Sequence, residues 1–258
     1  WIISGALLPY ILGIAVDYSH LHWISIILAF LTARSAGMAL NRLIDCEIDR
    51  KNPRTKMRAF ARGDLKKIDL MAVIGASFIL FFFCCYFINA YIFFLSPFVA
   101  LLLVSYSYTK RITSMCHFVL GGIHFLGPIM SFAAVSGAIS SVSILLGLAL
   151  FMIISSGDIF YALQDIDYDR EHGLYSIPAK LGYARAISLA HALQVVAVLI
   201  LCVLGIISSM SFPYFIGCAV VAFMYIIAYL KGWHSFVMNS YVGIVMMLAF
   251  WGEYVWRR

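Results

Sequence analysis

Charge is scarce in this chain. Asp, Glu, Lys and Arg make up 12% of its 258 residues, and 64% are hydrophobic, against about 25% charged and 45–50% apolar in an ordinary soluble domain. A water-soluble enzyme is therefore excluded. Proline is also sparse, at six residues, so long helices are not forbidden. The six cysteines, Cys46, Cys84, Cys85, Cys116, Cys202 and Cys218, show no CxxC and no Cys/His ligand spacing. They read as small hydrophobes, and a disulfide framework or zinc site is not expected. There is no P-loop, GxSxG or HExxH. The chain opens at Trp1 without a basic n-region, so no signal peptide is expected, and a native N-terminal stretch is expected to be missing.

What remains is apolar sequence spread over the whole length, with a mean hydropathy of +0.97. At about 20 residues per crossing, the chain reads as one polytopic membrane domain over 1–258 with no room for a soluble module. Apolar runs predict nine spans, near 1–16, 23–43, 68–88, 91–107, 117–136, 141–163, 183–208, 212–230 and 235–256. The net charge of +6 points to orientation signals and not to nucleic acid. The connections near 17–22, 89–90, 137–140 and 209–211 hold no Lys or Arg, whereas nine of the 18 basic residues fall between Arg42 and Lys67. Lys110, Arg111, Arg170, Lys180 and Lys231 keep the same alternation, which puts the basic loops in the cytoplasm. Arg257 and Arg258 are the exception.

Acids are rarer still, and ten of the 12 form two clusters. One holds Asp45, Glu47, Asp49, Asp64 and Asp69, the other Asp158, Asp165, Asp167, Asp169 and Glu171; Asp17 and Glu253 stand apart. Asn41, Asp45 and Asp49 follow an i, i+4, i+8 spacing, so they project from one helix face. Asp158, Tyr161, Asp165 and Asp169, at i, i+3, i+7 and i+11, do the same. Spaced acids at a helix end can be a solvated exit. Two such stripes at the same depth in a chain almost free of acids instead suggest hard oxygen ligands for Mg²⁺ and a phosphate-bearing substrate. Asp158 follows the apolar run Leu148 to Ile154, at a depth where an ionised carboxylate is expensive. Arg34 shares the face of Asn41 well inside its span; it is expected to meet either an anionic ligand or Asp45 or Asp49 in an ion pair. Arg54, Arg58, Lys110 and Arg111 lie in loops over the same mouth, where they suit diphosphate oxygens. Lys56, Arg62, Lys66 and Lys67 read equally as orientation signals. His124 has the proton relay as an alternative but reads first as a packing histidine bonded to a neighbouring helix's carbonyl, and His20, His22, His172, His191 and His234 lack ligand spacing.

These residues resemble a known family. Asn41-Arg-Leu-Ile-Asp45-Cys-Glu-Ile-Asp49, with Asn52-Pro53-Arg54-Thr55 and Arg58 after it, is similar to the NxxxDxxxD motif and following RTxxR of the UbiA superfamily of intramembrane prenyltransferases. Asp158-Ile-Phe-Tyr161-Ala-Leu-Gln-Asp165-Ile-Asp-Tyr-Asp169 resembles its DxxYAxxDxxxD motif, and Tyr106-Ser-Tyr-Thr-Lys110 its YxxxK element. The likeness is closest to the 4-hydroxybenzoate polyprenyltransferase branch and its menaquinone relatives. It implies an all-α membrane fold with nine helices around a central cavity open to lipid. It implies that Asn41, Asp45, Asp49, Asp158, Asp165 and Asp169 hold Mg²⁺ and the diphosphate of a polyprenyl donor, with Asp45, Asp49, Asp158 and Asp165 catalytic. Arg54, Arg58 and Lys110 would grip the diphosphate, Tyr106 and Tyr161 would line its reacting end, and Arg34 would meet the carboxylate of an aromatic acceptor. That acceptor would be 4-hydroxybenzoate, or alternatively a dihydroxynaphthoate, and the setting a bacterial inner membrane with the site facing the cytoplasm. Ala59-Phe60-Ala61-Arg62-Gly63 departs from the family's usual RPLPxG. The reading from another class is an ion or anion transporter, which would place its acids at the midplane.

Overall fold

The structure, a computed structural model, describes residues 1–14, 19–233 and 237–258; Asp17 and His234 lie outside them. In chain order the helices are α1 (Ile2–Ile11), α2 (His20–Ile44), α3 (Cys46–Lys51), α4 (Ala59–Arg62), α5 (Lys67–Ile88), α6 (Ala90–Thr109), α7 (Cys116–Ser136), α8 (Ser141–Ala162), α9 (Ile166–Glu171), α10 (Ile177–Leu181), α11 (Tyr183–Ile207), α12 (Phe212–Lys231) and α13 (Val237–Trp256). A single 3₁₀ turn, Leu163–Asp165, joins α8 to α9. No strand occurs among the described residues.

Each of the nine expected apolar runs holds a helix, most within two residues of the expected ends. Seven described helices, however, and not nine, are long and apolar enough to cross a membrane. The first run yields the ten-residue α1, which rises about 15 Å, half the thickness of a hydrocarbon core. The last yields the 20-residue α13, whose Asn239 and Glu253 lower its hydropathy. Large apolar side chains cover the outside of the long helices, among them Ile79, Phe94, Leu199, Ile206 and Leu230. In water such a surface would aggregate; against lipid tails it is at home.

The single domain expected over 1–258 sorts into two compact units, Trp1–Asp17 with Thr113–Arg258, and Tyr18–Ile112. The first packs α1, α7, α8, α11, α12 and α13 around Leu8, Phe132, Leu146, Ile153, Leu201, Tyr214, Met246 and Phe250, all essentially inaccessible. Tyr214 donates its hydroxyl to the Leu201 carbonyl at 2.8 Å, which satisfies its polar end inside that core. Helices α7 and α8 approach closely because Gly121 and Gly147 bring no Cβ. One at Gly147 would sit 2.6 Å from the Phe125 carbonyl oxygen, and one at Gly121 would collide with Ser155. Small residues that let backbones meet are the usual means of helix association in lipid. A second cluster, Ile159, Phe160, Ile177, Ala186, Ala190 and Leu193, fixes the far end of α8 against α10 and α11.

The other unit packs α2 against α5 and α6. Ala29, Ala36 and Ala39 on α2 are buried, as are Phe81, Cys84 and Cys85 on α5. Ser19 caps α2, and Asn89 accepts the Ile92 N–H at 2.8 Å to start α6. All six cysteines are free thiols.

Candidate active site

The first acidic stripe sits where α2 gives way to α3. The chain leaves regular helix at Asp45 (φ −88°, ψ 6°). The backbone bonds Asp45 N–H to Asn41 O (2.9 Å) and Asp49 N–H to Asp45 O (2.8 Å) nevertheless run through the break. The i, i+4, i+8 face therefore survives. Asp45 and Asp49 are 2% and 4% exposed, while Glu47 on the opposite side is exposed.

Buried carboxylates need partners, and these come from elsewhere in the same unit. Asn41 donates its amide to Asp45 Oδ2 at 2.8 Å. Lys110 Nζ lies 2.7 Å from the same oxygen, and Arg111 Nη2 lies 3.1 Å from Oδ1. The hydrogen bonds of Arg111 go to the Ser107 and Ile44 carbonyls, so Asp45 Oδ1 is buried beside a positive charge without a hydrogen bond of its own. Arg58 Nη1 straddles Asp49 at 2.7 and 2.9 Å, and Arg42 stands 3.7 Å away. Thr55 donates its hydroxyl to the Asp49 carbonyl at 3.2 Å, and Asn52 accepts the Arg54 N–H at 2.9 Å. The loop after α3 is thereby folded back over the stripe. Arg54 itself is exposed and Tyr106 half-buried. The unusual Ala59–Arg62 stretch is one helical turn closed by Gly63 at φ +93°, a left-handed conformation that suits glycine. Arg50 Nε reaches the carbonyl of its buried Ala61.

Arg34 does not pair with Asp45 or Asp49, whose oxygens are already met by Lys110, Arg111, Arg58 and Arg42. It is exposed on α2, has no hydrogen bond or ion pair to any described residue, and shares the Asn41 and Asp45 face at i+7 and i+11.

The second stripe belongs to the other unit. The 3₁₀ turn Leu163–Asp165 breaks the single helix expected there. The face is still kept: Asp158, Tyr161, Asp165 and Asp169 are half-buried, and Asp167 and Glu171 are exposed. Asp169 Oδ2 accepts from Ser176 Oγ at 2.8 Å. Asp158 Oδ2 lies 2.7 Å from Nδ1 of His117, a residue that spacing along the chain did not single out. Its partner is 41 positions away, and its only trace was a place at the head of an apolar run. His124 bonds the Leu120 carbonyl one turn back at 3.0 Å, as a packing histidine would, though on its own helix and not a neighbour's.

Among the described residues no three His, Cys, Asp or Glu side chains form a metal-binding group. That does not conflict with Mg²⁺, which keeps several waters and is commonly held by one or two carboxylates together with substrate phosphates. The donors here are hard oxygens, and the buried, unbonded Asp45 Oδ1 fits such an ion.

A model of the UbiA prenyltransferase family matches residues 6–239. A 4-hydroxybenzoate octaprenyltransferase of Alcanivorax borkumensis is 28% identical over 235 residues, covering 88% of this chain and 81% of its own. The enzyme of that name from Hahella chejuensis is 29% identical over 239 residues, covering 88% and 78%. A UbiA homologue from Aeropyrum pernix K1 superposes with a TM-score of 0.85 at 27% identity over 96% of both chains. A homologue from Archaeoglobus fulgidus bound to GPP and Mg²⁺ gives 0.70 at 17% identity, covering 98% of this chain and 95% of its own; at that identity the likeness is one of fold.

Proposed function

Because this chain belongs to the UbiA prenyltransferase family, we propose that it transfers a polyprenyl group from a polyprenyl diphosphate to a ring carbon of an aromatic hydroxy acid, with 4-hydroxybenzoate as the acceptor, in respiratory quinone synthesis. The observation that carries this reading is the treatment of Asp45 and Asp49. Both are buried, and four cations, Lys110, Arg111, Arg58 and Arg42, crowd around them. Such a mixture of carboxylates and cations is matched to a metal–diphosphate complex, whose metal takes the former and whose oxygens take the latter. The names of the curated relatives support the acceptor.

On this reading the chain is one catalytic domain with nine helices around a cavity open to lipid, in a bacterial inner membrane. Asn41, Asp45, Asp49, Asp158, Asp165 and Asp169 would hold Mg²⁺, which when bound draws charge from the departing diphosphate. Lys110, Arg58 and Arg54 donate to diphosphate oxygens and stabilise the charge that develops as the allylic C–O bond breaks. Tyr106 and Tyr161 present aromatic faces to the allylic cation, and the apolar walls keep water from quenching it. The acceptor's ring carbon ortho to its phenol oxygen then bonds to the allylic carbon and gives up its proton to the released diphosphate, which restores the aromatic ring, while Arg34 holds the acceptor's carboxylate.

The deciding assay is Mg²⁺-dependent release of pyrophosphate from a prenyl diphosphate, with 4-hydroxybenzoate, a dihydroxynaphthoate and a neutral phenol in parallel. Release with 4-hydroxybenzoate and not with the phenol is expected. Release with the naphthoate alone would move the acceptor, and no release with any would overturn the proposal.

A further inference from the structure

The three residues Tyr175, Ser176 and Ile177 each make a bond that reaches the second acidic stripe or its support. Tyr175 accepts from Cys116 Sγ at 3.6 Å, Ser176 donates to Asp169 at 2.8 Å, and the Ile177 N–H donates to His117 Nε2 at 3.2 Å. That last bond fixes the imidazole. With Nε2 accepting, Nδ1 carries the proton and donates it to Asp158 Oδ2 at 2.7 Å. His117 is 2% exposed and Ile177 is 3%, so the donor is held on both sides by packed groups. Among the described residues His117 is the only partner Asp158 has, and Asp158 Oδ1 is left unengaged.

We propose that His117 is a positioning residue: it clamps one oxygen of Asp158 so that the other is presented to the metal–diphosphate complex, and it takes its own orientation from the Ser176–Ile177 backbone. This rests on the function proposed above. Carboxylate ligands are commonly held by such outer partners, whose loss weakens metal binding or activity by about 10- to 100-fold. One short segment thus sets two of the three acids of the stripe, Asp169 through Ser176 and Asp158 through His117.

The test is Mg²⁺ binding, read as the Mg²⁺ concentration that half-saturates thermal stabilisation of the purified full chain with an unreactive prenyl thiodiphosphate. His117→Leu should raise it about tenfold or more. His117→Asn, whose amide N–H falls near the Nδ1 position, should stay within about threefold of the parent. Should Leu fail to fold, Met, which adapts to irregular gaps without a donor, carries the same expectation. Because His117 acts through Asp158, His117→Leu added to Asp158→Asn should cost little beyond Asp158→Asn alone. An unchanged requirement in His117→Leu or His117→Met beside a raised one in Asp158→Asn would overturn the inference, as would full additivity in the double variant. If the parent itself shows no Mg²⁺-dependent stabilisation, the functional reading falls and takes this inference with it.

Discussion

Side-chain spacing along the chain identified the acids but not what holds them. Asp45 and Asp49 follow from a four-residue repeat that any helix turns into a face. Of their cations, Arg42 lies on α2 and Arg58 follows α3, but Lys110 and Arg111 come from the end of α6, and His117 reaches Asp158 from 41 positions away; no local pattern encodes these last, long-range pairings. The consequence is testable at single positions. Asp45→Ala or Asp165→Ala is expected to lower turnover at least about a hundredfold, since in the proposed mechanism the metal would supply several kcal/mol of charge stabilisation, with membrane insertion unchanged. Turnover within a factor of about three of the parent in either variant would remove that residue from the metal site. Arg34 differs from Lys110, Arg111, Arg58 and Arg42 because no described residue neutralises it. Arg34→Leu should raise the acceptor KM far more than the donor KM, the signature of one lost binding contact. A rise confined to the prenyl diphosphate would place Arg34 with the donor instead.

The long helices α2, α5–α8 and α11–α13 were legible to within about three residues of their ends, because apolar runs bounded by Ser, Asn, Gly and charge leave few alternatives, whereas α1 stops at Ile11, short of the run expected to 16. The breaks were not legible. Asp45 and Leu163–Asp165 interrupt helix at the acids themselves, inside spacings that an unbroken helix would turn into the same face. The end of α13 was likewise opaque. Glu253 there is fully buried; its Oε1 accepts the Ser211 N–H at 2.8 Å and Arg257 Nε at 2.7 Å. Arg257 in turn donates to the carbonyls of Ile11, Ser208 and Ser209. One ion pair therefore closes the C-terminal ends of α1 and α11 and the N-terminal end of α12. Replacing Glu253 with Leu leaves the exposed Arg257 without its counter-charge and the Ser211 N–H without its acceptor, a loss of about 1–3 kcal/mol. Glu253→Gln keeps a carbonyl acceptor and should cost less. Thermal denaturation in detergent should rank parent, Gln and Leu in that order, and equal midpoints for parent and Leu would show that the pair is idle.

This clamp also bears on how the chain sits in the bilayer. Arg257 and Arg258 were the exception to an otherwise regular alternation of basic and neutral connections. Arg257 pairs with Glu253 and Arg258 rests 4.4 Å over the Tyr254 ring, but they are two basic residues against the nine between Arg42 and Lys67. The alternation then rests on the loop between α2 and α5. Its basic residues are partly absorbed too: Arg58 and Arg42 by Asp49, Arg50 by Glu47, and Arg62 by Asp64, whose carboxylate holds the guanidinium above its ordinary pKa. Orientation follows Lys and Arg more than net charge, so the pairing does not cancel the signal. Apolar runs suggested nine crossings where seven described helices meet the length and hydropathy of a span. Sidedness is therefore better measured than counted. A cysteine at Lys56, an exposed position, in a background with the half-buried Cys46 and Cys202 replaced by Ser, is expected to react with an impermeant maleimide only from the cytoplasmic side of bacterial membranes. Labelling from the outer face would turn the α2–α5 loop, and with it the mouth above Asp45 and Asp49, away from the cytoplasm. The acceptor and the donor headgroup would then have to arrive from outside the cell.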